Sequence, residues 1–177
     1  MTNPTALPYT NGIPSPLTGE GGDGGERGRE SVLYAYSKSD IAKIIPHAGA
    51  MCLLDGVVRW DATHIRCVSN SHRDTDNPLC ADGQLSAVCG IEYAAQAMAV
   101  HGGLAGNIGS RPKAGYLVSL RDVTWQHSRL DNLAGELIVD AEQLMGDQSR
   151  VIYQFALRVG EVEVLSGRAT VVLDTDI

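Results

Sequence analysis

Residues 89–103 read CGIEYAAQAMAVHGG, and this stretch decides the fold. It is apolar on nearly every side, which is typical of a helix that is buried all round. Its alanines predict that a sheet can approach the helix closely. Glu92 and Gln96 are polar residues one helical turn apart on the same face, so we expect their side chains to interact. The glycines at Gly102 and Gly103 predict the end of the helix.

The flanking sequence predicts one short helix and six strands around this central helix. Residues 37–45 carry isoleucines at helical spacing and stop at Pro46. Two strand-like runs begin near residue 51 and predict a hairpin, and four more follow the central helix. In the clearest run, every second residue from Val151 through Tyr153 and Phe155 to Val159 is apolar, which predicts a strand with one buried face. The pattern predicts an α+β fold in which an antiparallel sheet wraps around one long helix, with exposed edges that favour a dimer.

The composition predicts one globular domain. The chain has 177 residues, 44% of them hydrophobic, and a net charge of -7 with no basic block, which argues against binding to nucleic acid or to an anionic membrane. Residues 1–35 are rich in proline, glycine and charge and predict a disordered leader, so the folded domain is expected to span residues 36–177. We expect neither export nor a membrane span. The four cysteines have no metal-binding spacing and predict reduced thiols in a cytoplasmic protein.

Two short motifs carry a resemblance to a known family. The first is IPH at residues 45–47 followed by MCLLD at residues 51–55, and the second is IEYAAQ at residues 91–96. They resemble the L-P-H-x-x-P-x-L-L-x-D and L-E-A-x-A-Q segments of the hotdog-fold 3-hydroxyacyl-ACP dehydratases. Among these, the chain is most similar to the divergent dehydratase-like proteins of aryl-polyene and xanthomonadin pigment pathways. The resemblance implies a dimeric hotdog fold. Pro78 stands where the fatty-acid enzymes carry a G-H-F-P turn with the catalytic histidine.

The resemblance implies dehydration of a 3-hydroxyacyl thioester in fatty-acid, polyketide or aryl-polyene synthesis. This reaction needs one group to remove the proton beside the carbonyl and another to protonate the departing hydroxyl. Glu92 is the predicted acid, because desolvation on a buried helix would raise its pKa. His72 is the predicted catalytic base, and His47 is the less favoured alternative and a residue expected to line the substrate pocket. Gln96 is expected to orient the carboxyl of Glu92.

The same reaction implies further contacts and partners. The backbone amides near the start of the helix, at Ala87 and Val88, are expected to polarise the thioester carbonyl. The substrate would be carried on the phosphopantetheine of an acyl carrier protein or of coenzyme A, with no other cofactor and no metal. The predicted protein partners are an acyl carrier protein and a second hotdog subunit, in a homodimer or in a heterodimer with another dehydratase.

Other interpretations remain open at this point. Glu92 could activate water in a hotdog thioesterase, or the chain could be a non-catalytic partner subunit of an active dehydratase. Glu92 could also be a structural carboxylate paired with Arg66 or Arg121, and Gln96 could be a satisfied core amide. His72 could be a loop histidine exposed to solvent.

Overall fold

The structure is a computed structural model, and it describes residues 34–106 and 115–173. A seven-stranded antiparallel sheet wraps around one long helix; the sequence predicted this arrangement with six strands and missed the short β1. The elements are β1 Tyr36–Ser37, α1 Lys38–Ile44, β2 Gly56–Trp60, β3 His64–Ser69, α2 Gly90–Ala105, β4 Gly115–Trp125, β5 Leu137–Gly146, β6 Arg150–Val159 and β7 Val162–Leu173. The strands lie in the order β1-β2-β3-β5-β6-β7-β4. Residues 1–33 of the predicted leader lie outside the described residues.

The short helix α1 leads the chain into the segment that carries His47. The backbone amide of Ser37 donates to the carboxylate of Asp40 at 3.2 Å, and the Ser37 hydroxyl donates to it at 2.6 Å. The hydrogen bond from the Ser37 hydroxyl, together with one from Lys43, lowers the pKa of Asp40 to about 2. This capping arrangement fixes where α1 begins, and Pro46 follows its end.

The central helix α2 lies close against the sheet. A Cβ atom placed on Gly90 would lie 2.8 Å from a methyl group of Leu157 and 2.9 Å from one of Leu165. The missing side chain therefore lets the first turn of α2 rest directly on β6 and β7. A three-residue 3-10 turn at Ala87–Cys89 precedes the helix.

Two predicted boundaries were wrong. The helix α2 continues through Gly103 and ends at Ala105. A side chain at Gly103 would overlap Ile44 of α1, so this glycine serves close packing between the two helices and does not mark the end of α2. The strand predicted from residue 51 begins only at Gly56, after a 3-10 turn at Gly49–Met51. Residues 52–54 are buried and lie in the core beside α2 instead.

The alternation predicted for β6 is confirmed. Val151, Tyr153 and Phe155 are all buried, with Phe155 only 1% exposed. In contrast, the edge strand β4 exposes large apolar side chains, including Tyr116 and Val118. Within residues 34–106 and 115–173, no helix is both long and apolar enough to cross a membrane.

Candidate active site

Three polar side chains meet beside the first two turns of α2. Oε1 of Glu92 lies 3.1 Å from Nε2 of His47 and accepts a hydrogen bond of 2.9 Å from Nε2 of Gln96. His47 belongs to the loop between α1 and β2, directly after Pro46. Among the described residues, no hydrogen bond reaches Oε2 of Glu92. Within this described part of the chain, Oε2 is therefore the carboxyl oxygen that a ligand can meet.

The amide group of Gln96 can adopt only one orientation. Its side chain is fully buried, its Oε1 accepts from the backbone amide of Leu53 at 2.9 Å, and its Nε2 donates to the carbonyl oxygen of Met51 at 2.8 Å. A backbone N–H can only donate and a carbonyl oxygen can only accept, so the two contacts fix which end of the amide faces Glu92. Gln96 is thus a satisfied core amide and a donor to the carboxylate at the same time.

The pair of Glu92 and His47 lies at the rim of the core. Their side chains are 32% and 30% exposed in the single chain, so the carboxyl is less enclosed than the sequence predicted. The neighbouring Tyr93 and Ala94 are fully buried in the core, so Glu92 lies at the edge of the buried face of α2. Nδ1 of His47 is buried without a hydrogen-bond partner in the described part of the chain. The nitrogen of His47 that can exchange a proton with Glu92 is therefore Nε2.

His72 has a different environment from the one the sequence suggested. Its side chain is fully buried, which rules out the solvent-exposed loop interpretation. Nε2 lies 3.3 Å from the carbonyl oxygen of Leu133 and must carry the proton in this contact, while Nδ1 has no partner among the described residues. Burial lowers the pKa of His72. No hydrogen bond or ion pair joins His72 to Glu92 within the described ranges, so the structure brings His47 to the carboxyl, not His72.

The predicted amide donors near the start of α2 lie just outside the helix. The amide of Ala87 already donates to the carbonyl oxygen of Ser128 at 2.9 Å, and it is therefore not free to polarise a thioester. Val88 is next to it in the same 3-10 turn, with its side chain 51% exposed. In residues 34–106 and 115–173, no three His, Cys, Asp or Glu side chains gather in a way that could hold a metal ion.

Arg66 does not form the structural ion pair with Glu92 that the sequence left open. That guanidinium forms two hydrogen bonds with Asp140, at 2.6 and 2.9 Å, across the neighbouring strands β3 and β5. Among the described residues, the side chain that forms an ion-pair contact with Glu92 is the imidazole of His47.

Sequence reasoning missed the main-chain support of the site. The carbonyl oxygen of Leu53 accepts hydrogen bonds from the hydroxyls of Ser69 at 2.6 Å and Ser71 at 2.9 Å, and its amide donates to Gln96. Both ends of the peptide segment at Leu53 are therefore held in the protein interior. The MCLLD motif was the only sequence signal near this feature, and it does not indicate which main-chain atoms are bonded.

A family model described as ApeP-like, ApeP dehydratase, matches residues 39–177, which is most of the chain. The chain belongs to the ApeP-like dehydratase family. The resemblance inferred from the two motifs is thereby confirmed. The match contains all three residues that meet at the candidate site of this ApeP-like chain, namely His47, Glu92 and Gln96.

Solved structures show the fold of this ApeP-like chain. A chain of the dehydratase heterocomplex ApeI:P from Xenorhabdus doucetiae superposes with a TM-score of 0.64 at 21% identity, over 77% of this chain and 91% of that one. A thioesterase from Haemophilus influenzae has a TM-score of 0.57 at 12% identity, with coverages of 80% and 92%. A putative thioesterase from Silicibacter sp. has a TM-score of 0.56 at 12% identity, with coverages of 82% and 97%. These similarities establish the hotdog fold, while the comparison with curated proteins gave no match.

Proposed function

We propose that this chain is a subunit of a dehydratase that removes water from a 3-hydroxyacyl thioester, and that Glu92 and His47 form its acid–base pair. The observation that carries the proposal is the 3.1 Å contact between the carboxyl of Glu92 and the imidazole of His47. A hydrogen bond from Gln96 orients the carboxyl in this contact. A carboxyl and an imidazole in contact can share one titrating proton in two ways. Either the carboxylic acid carries it beside a neutral imidazole, or an imidazolium carries it beside a carboxylate. Such a pair supplies both proton transfers that a dehydration requires.

In the proposed reaction, Nε2 of His47 accepts the proton from the carbon beside the thioester carbonyl. Oε2 of Glu92 gives its proton to the 3-hydroxyl, the C–O bond breaks, a carbon–carbon double bond forms and water leaves. The products of this step on the protein are an imidazolium and a carboxylate. Return of the proton from Nε2 of the imidazolium to Oε2 of the carboxylate restores the starting pair. The cycle therefore closes without a proton from solvent.

His47 takes the role that the sequence gave to His72, because of the different contacts of the two imidazoles. Nε2 of His72 is engaged with the Leu133 carbonyl, and its ring is fully buried. His47 is partly exposed and touches the carboxyl directly. The proton-transfer chemistry is therefore assigned to His47.

We propose further that the acyl group is carried on phosphopantetheine, in an aryl-polyene type of pigment synthesis, and that the chain works with a second hotdog dehydratase subunit. The solved relative from Xenorhabdus doucetiae is itself part of a dehydratase heterocomplex. The edge strand β4 exposes Tyr116, Val118 and Trp125 by more than half, which is the kind of surface that a second subunit covers. A partner beside the site would also shield Glu92 and His47, which are about one third exposed in the single chain.

The test is a mass-spectrometric assay of a 3-hydroxyacyl-ACP incubated with the purified chain, alone and together with a partner dehydratase subunit. We expect loss of one water from the acyl chain, and we expect Glu92→Gln and His47→Asn to slow it by about 100-fold or more. The chain offers a matched control pair, because His64 and Glu142 form another histidine–glutamate contact, at 3.4 Å, on the exposed face of the sheet. His64→Asn and Glu142→Gln should leave the rate unchanged.

Each other outcome of this assay contradicts the proposal in a specific way. Release of the free acid would favour a thioesterase. An unchanged thioester in both incubations would exclude the dehydratase reaction on this substrate. Full activity of Glu92→Gln in the presence of the partner would favour a non-catalytic subunit.

A further inference from the structure

Tyr93 follows Glu92 in the sequence, but its side chain points into the core. Its side chain is fully buried, and its hydroxyl makes two hydrogen bonds, with Oγ of Ser71 at 2.9 Å and with Nδ2 of Asn77 at 2.9 Å. The buried hydroxyl is therefore fully engaged in a polar network with the segment that follows β3. None of the residues of this network belongs to the acid–base pair.

The direction of these hydrogen bonds follows from the donors and acceptors available. The backbone amide of Leu79 donates to Oδ1 of Asn77 at 2.9 Å, so Nδ2 of Asn77 is the end that faces Tyr93. The Tyr93 oxygen accepts from Asn77, which leaves its own proton for Oγ of Ser71. The proton of Ser71 is then donated to the carbonyl oxygen of Leu53 at 2.9 Å.

The chain of hydrogen bonds continues through the main chain to the carboxyl. The amide of Leu53 donates to Oε1 of Gln96 at 2.9 Å, and Nε2 of Gln96 donates to Oε1 of Glu92 at 2.9 Å. Every donor from Asn77 to Gln96 thus points in the same direction, toward Glu92. The carbonyl and the amide of Leu53 belong to adjacent peptide groups on either side of its Cα atom, so the path runs from Ser71 to Gln96 through the fixed position of this main-chain segment.

We propose that Tyr93 is a positioning residue for Glu92, acting through Ser71, the main chain at Leu53 and Gln96. The hydroxyl of Tyr93 fixes the side chain of Ser71, and Ser71 in turn fixes the carbonyl of Leu53. The main-chain segment at Leu53 is thereby held in place, and its amide orients Gln96. This inference rests on the proposed function for its catalytic consequence, while the hydrogen-bonded path can be tested without substrate.

Another buried tyrosine provides a matched control. Tyr153 is 3% exposed, and its hydroxyl lies 2.9 Å from Nδ1 of His101. Nε2 of His101 bonds to the carbonyl oxygen of Asp61, in the turn after β2. Loss of the Tyr153 hydroxyl therefore costs a buried hydrogen bond without touching the path to Glu92.

The experiment compares Tyr93→Phe with Tyr153→Phe in the dehydratase assay and by NMR. For Tyr93→Phe we expect kcat to fall by about tenfold with KM unchanged, because the reacting groups lose alignment while the acyl-binding surface is retained. We also expect the imidazole signal of His47 to shift in the substrate-free protein, since Glu92 is the group that this ring touches. Tyr153→Phe should lower thermal stability and change neither readout. Ser71→Ala breaks the path at a second point and should reproduce the effects of Tyr93→Phe.

The positioning role is wrong if Tyr93→Phe and Ser71→Ala both match Tyr153→Phe in kcat and in the His47 signal. Should Tyr93→Phe fail to fold, Ser71→Ala alone decides between the two outcomes. The NMR comparison needs no substrate, so its result stands whether or not the wild-type chain dehydrates a 3-hydroxyacyl thioester. An inactive wild-type chain whose His47 signal shifts in Tyr93→Phe would contradict the proposed function and leave the positioning path in place.

Discussion

The backbone amide of Leu53 donates a hydrogen bond of 2.9 Å to Oε1 of the buried Gln96 side chain. This contact sets which end of the side-chain amide meets Glu92. The main-chain N–H needs an acceptor, so the amide oxygen faces Leu53 and the NH2 group faces Glu92. The orientation of a side chain in the middle of α2 is therefore imposed by the main chain of the segment between α1 and β2. The two parts of the chain that carry His47 and Glu92 are joined by this hydrogen bond as well as by their own contact.

Gln96→Met should destabilise the protein strongly. The substitution keeps the volume but leaves the Leu53 amide and the Met51 carbonyl without their partners in the interior. We expect the free energy of unfolding to fall by about 2 kcal/mol or more, measured by urea denaturation. Gln154→Met is the matched control, because Gln154 is exposed on β6 and should change stability little. Equal effects of the two substitutions would show that the amide contacts contribute nothing.

His47 and Glu92 should behave as one unit in a double-mutant cycle. We expect His47→Asn and Glu92→Gln each to lower the dehydration rate by about 100-fold or more, since each removes one partner of the proton transfer. The double variant should be no slower than the worse single variant, because the remaining group has no partner to work with. Rates are compared under single-turnover conditions. Losses that multiply in the double variant would mean that the two residues act independently.

Three glycines of α2 should respond in opposite directions to alanine. At Gly90 and Gly103 the added methyl group meets the core leucines or Ile44, so we expect a loss of about 1–3 kcal/mol in the free energy of unfolding. At Gly102, apart from its chain neighbours and the backbone of α2 itself, no atom of the described residues lies within 4 Å of the added group, so the higher helix propensity of alanine should stabilise the protein by about 0.5–1 kcal/mol. Thermal unfolding measures all three. Stabilisation by alanine at Gly90 would show that the helix does not lie this close to the sheet.

Stability should decrease in mildly acidic solution because of the two buried histidines. Desolvation lowers the pKa of both His72 and His101 below the ordinary value of 6.5. As the pH falls through about 6.5, these two histidines therefore take up protons in the unfolded state before they do so in the folded state, which favours unfolding. Well above this pH, both imidazoles are neutral in both states, so they do not make stability depend on pH. His72→Gln keeps a donor toward Leu133 but removes the titration, so we expect a smaller loss of stability between about pH 7 and 5. The exposed His64→Gln is the control, and an unchanged pH dependence in His72→Gln would contradict this assignment.

The edge strand β4 should be required for association with a second dehydratase subunit. Val118 is 57% exposed on this strand, and Val118→Lys places a charge on the proposed contact surface. We expect the complex with the partner to be lost in size-exclusion chromatography, while the circular dichroism of the single chain is unchanged. Val162→Lys is the control, since Val162 is 47% exposed at the start of β7, after the turn that follows β6. Retention of the complex by Val118→Lys would place the interface elsewhere.

The parts of the fold that the sequence predicted well depend on local periodicity. The buried alternation at Val151, Tyr153 and Phe155 can be seen in the sequence because a strand turns every second side chain to the same face. The contact between Glu92 and Gln96 is predictable for the same reason, since residues four apart share a helix face. No distant part of the chain is needed for these inferences.

The choice between His47 and His72 could not be made in this way. It depends on how the segment before β2 crosses α2, and that path is fixed by the bonds of the Leu53 main chain to Gln96 and to the serines after β3. The residue type at position 53 gives no information about these bonds, because almost every amino acid has the same amide and carbonyl. The early end assigned to α2 has a similar cause, since Gly103 is explained by Ile44, which lies far away in the sequence.

The main-chain link at Leu53 has a consequence for how this protein can change during evolution. Its side chain is fully buried in the core, while its amide and carbonyl connect the serines to Gln96. Substitutions of this leucine by other apolar residues alter packing but retain the link, and only proline removes the amide hydrogen. The packing of the core and the orientation of Gln96 can therefore change independently at this one position. A lineage could repack the interior here without disturbing the hydrogen bonds that orient Gln96 beside Glu92.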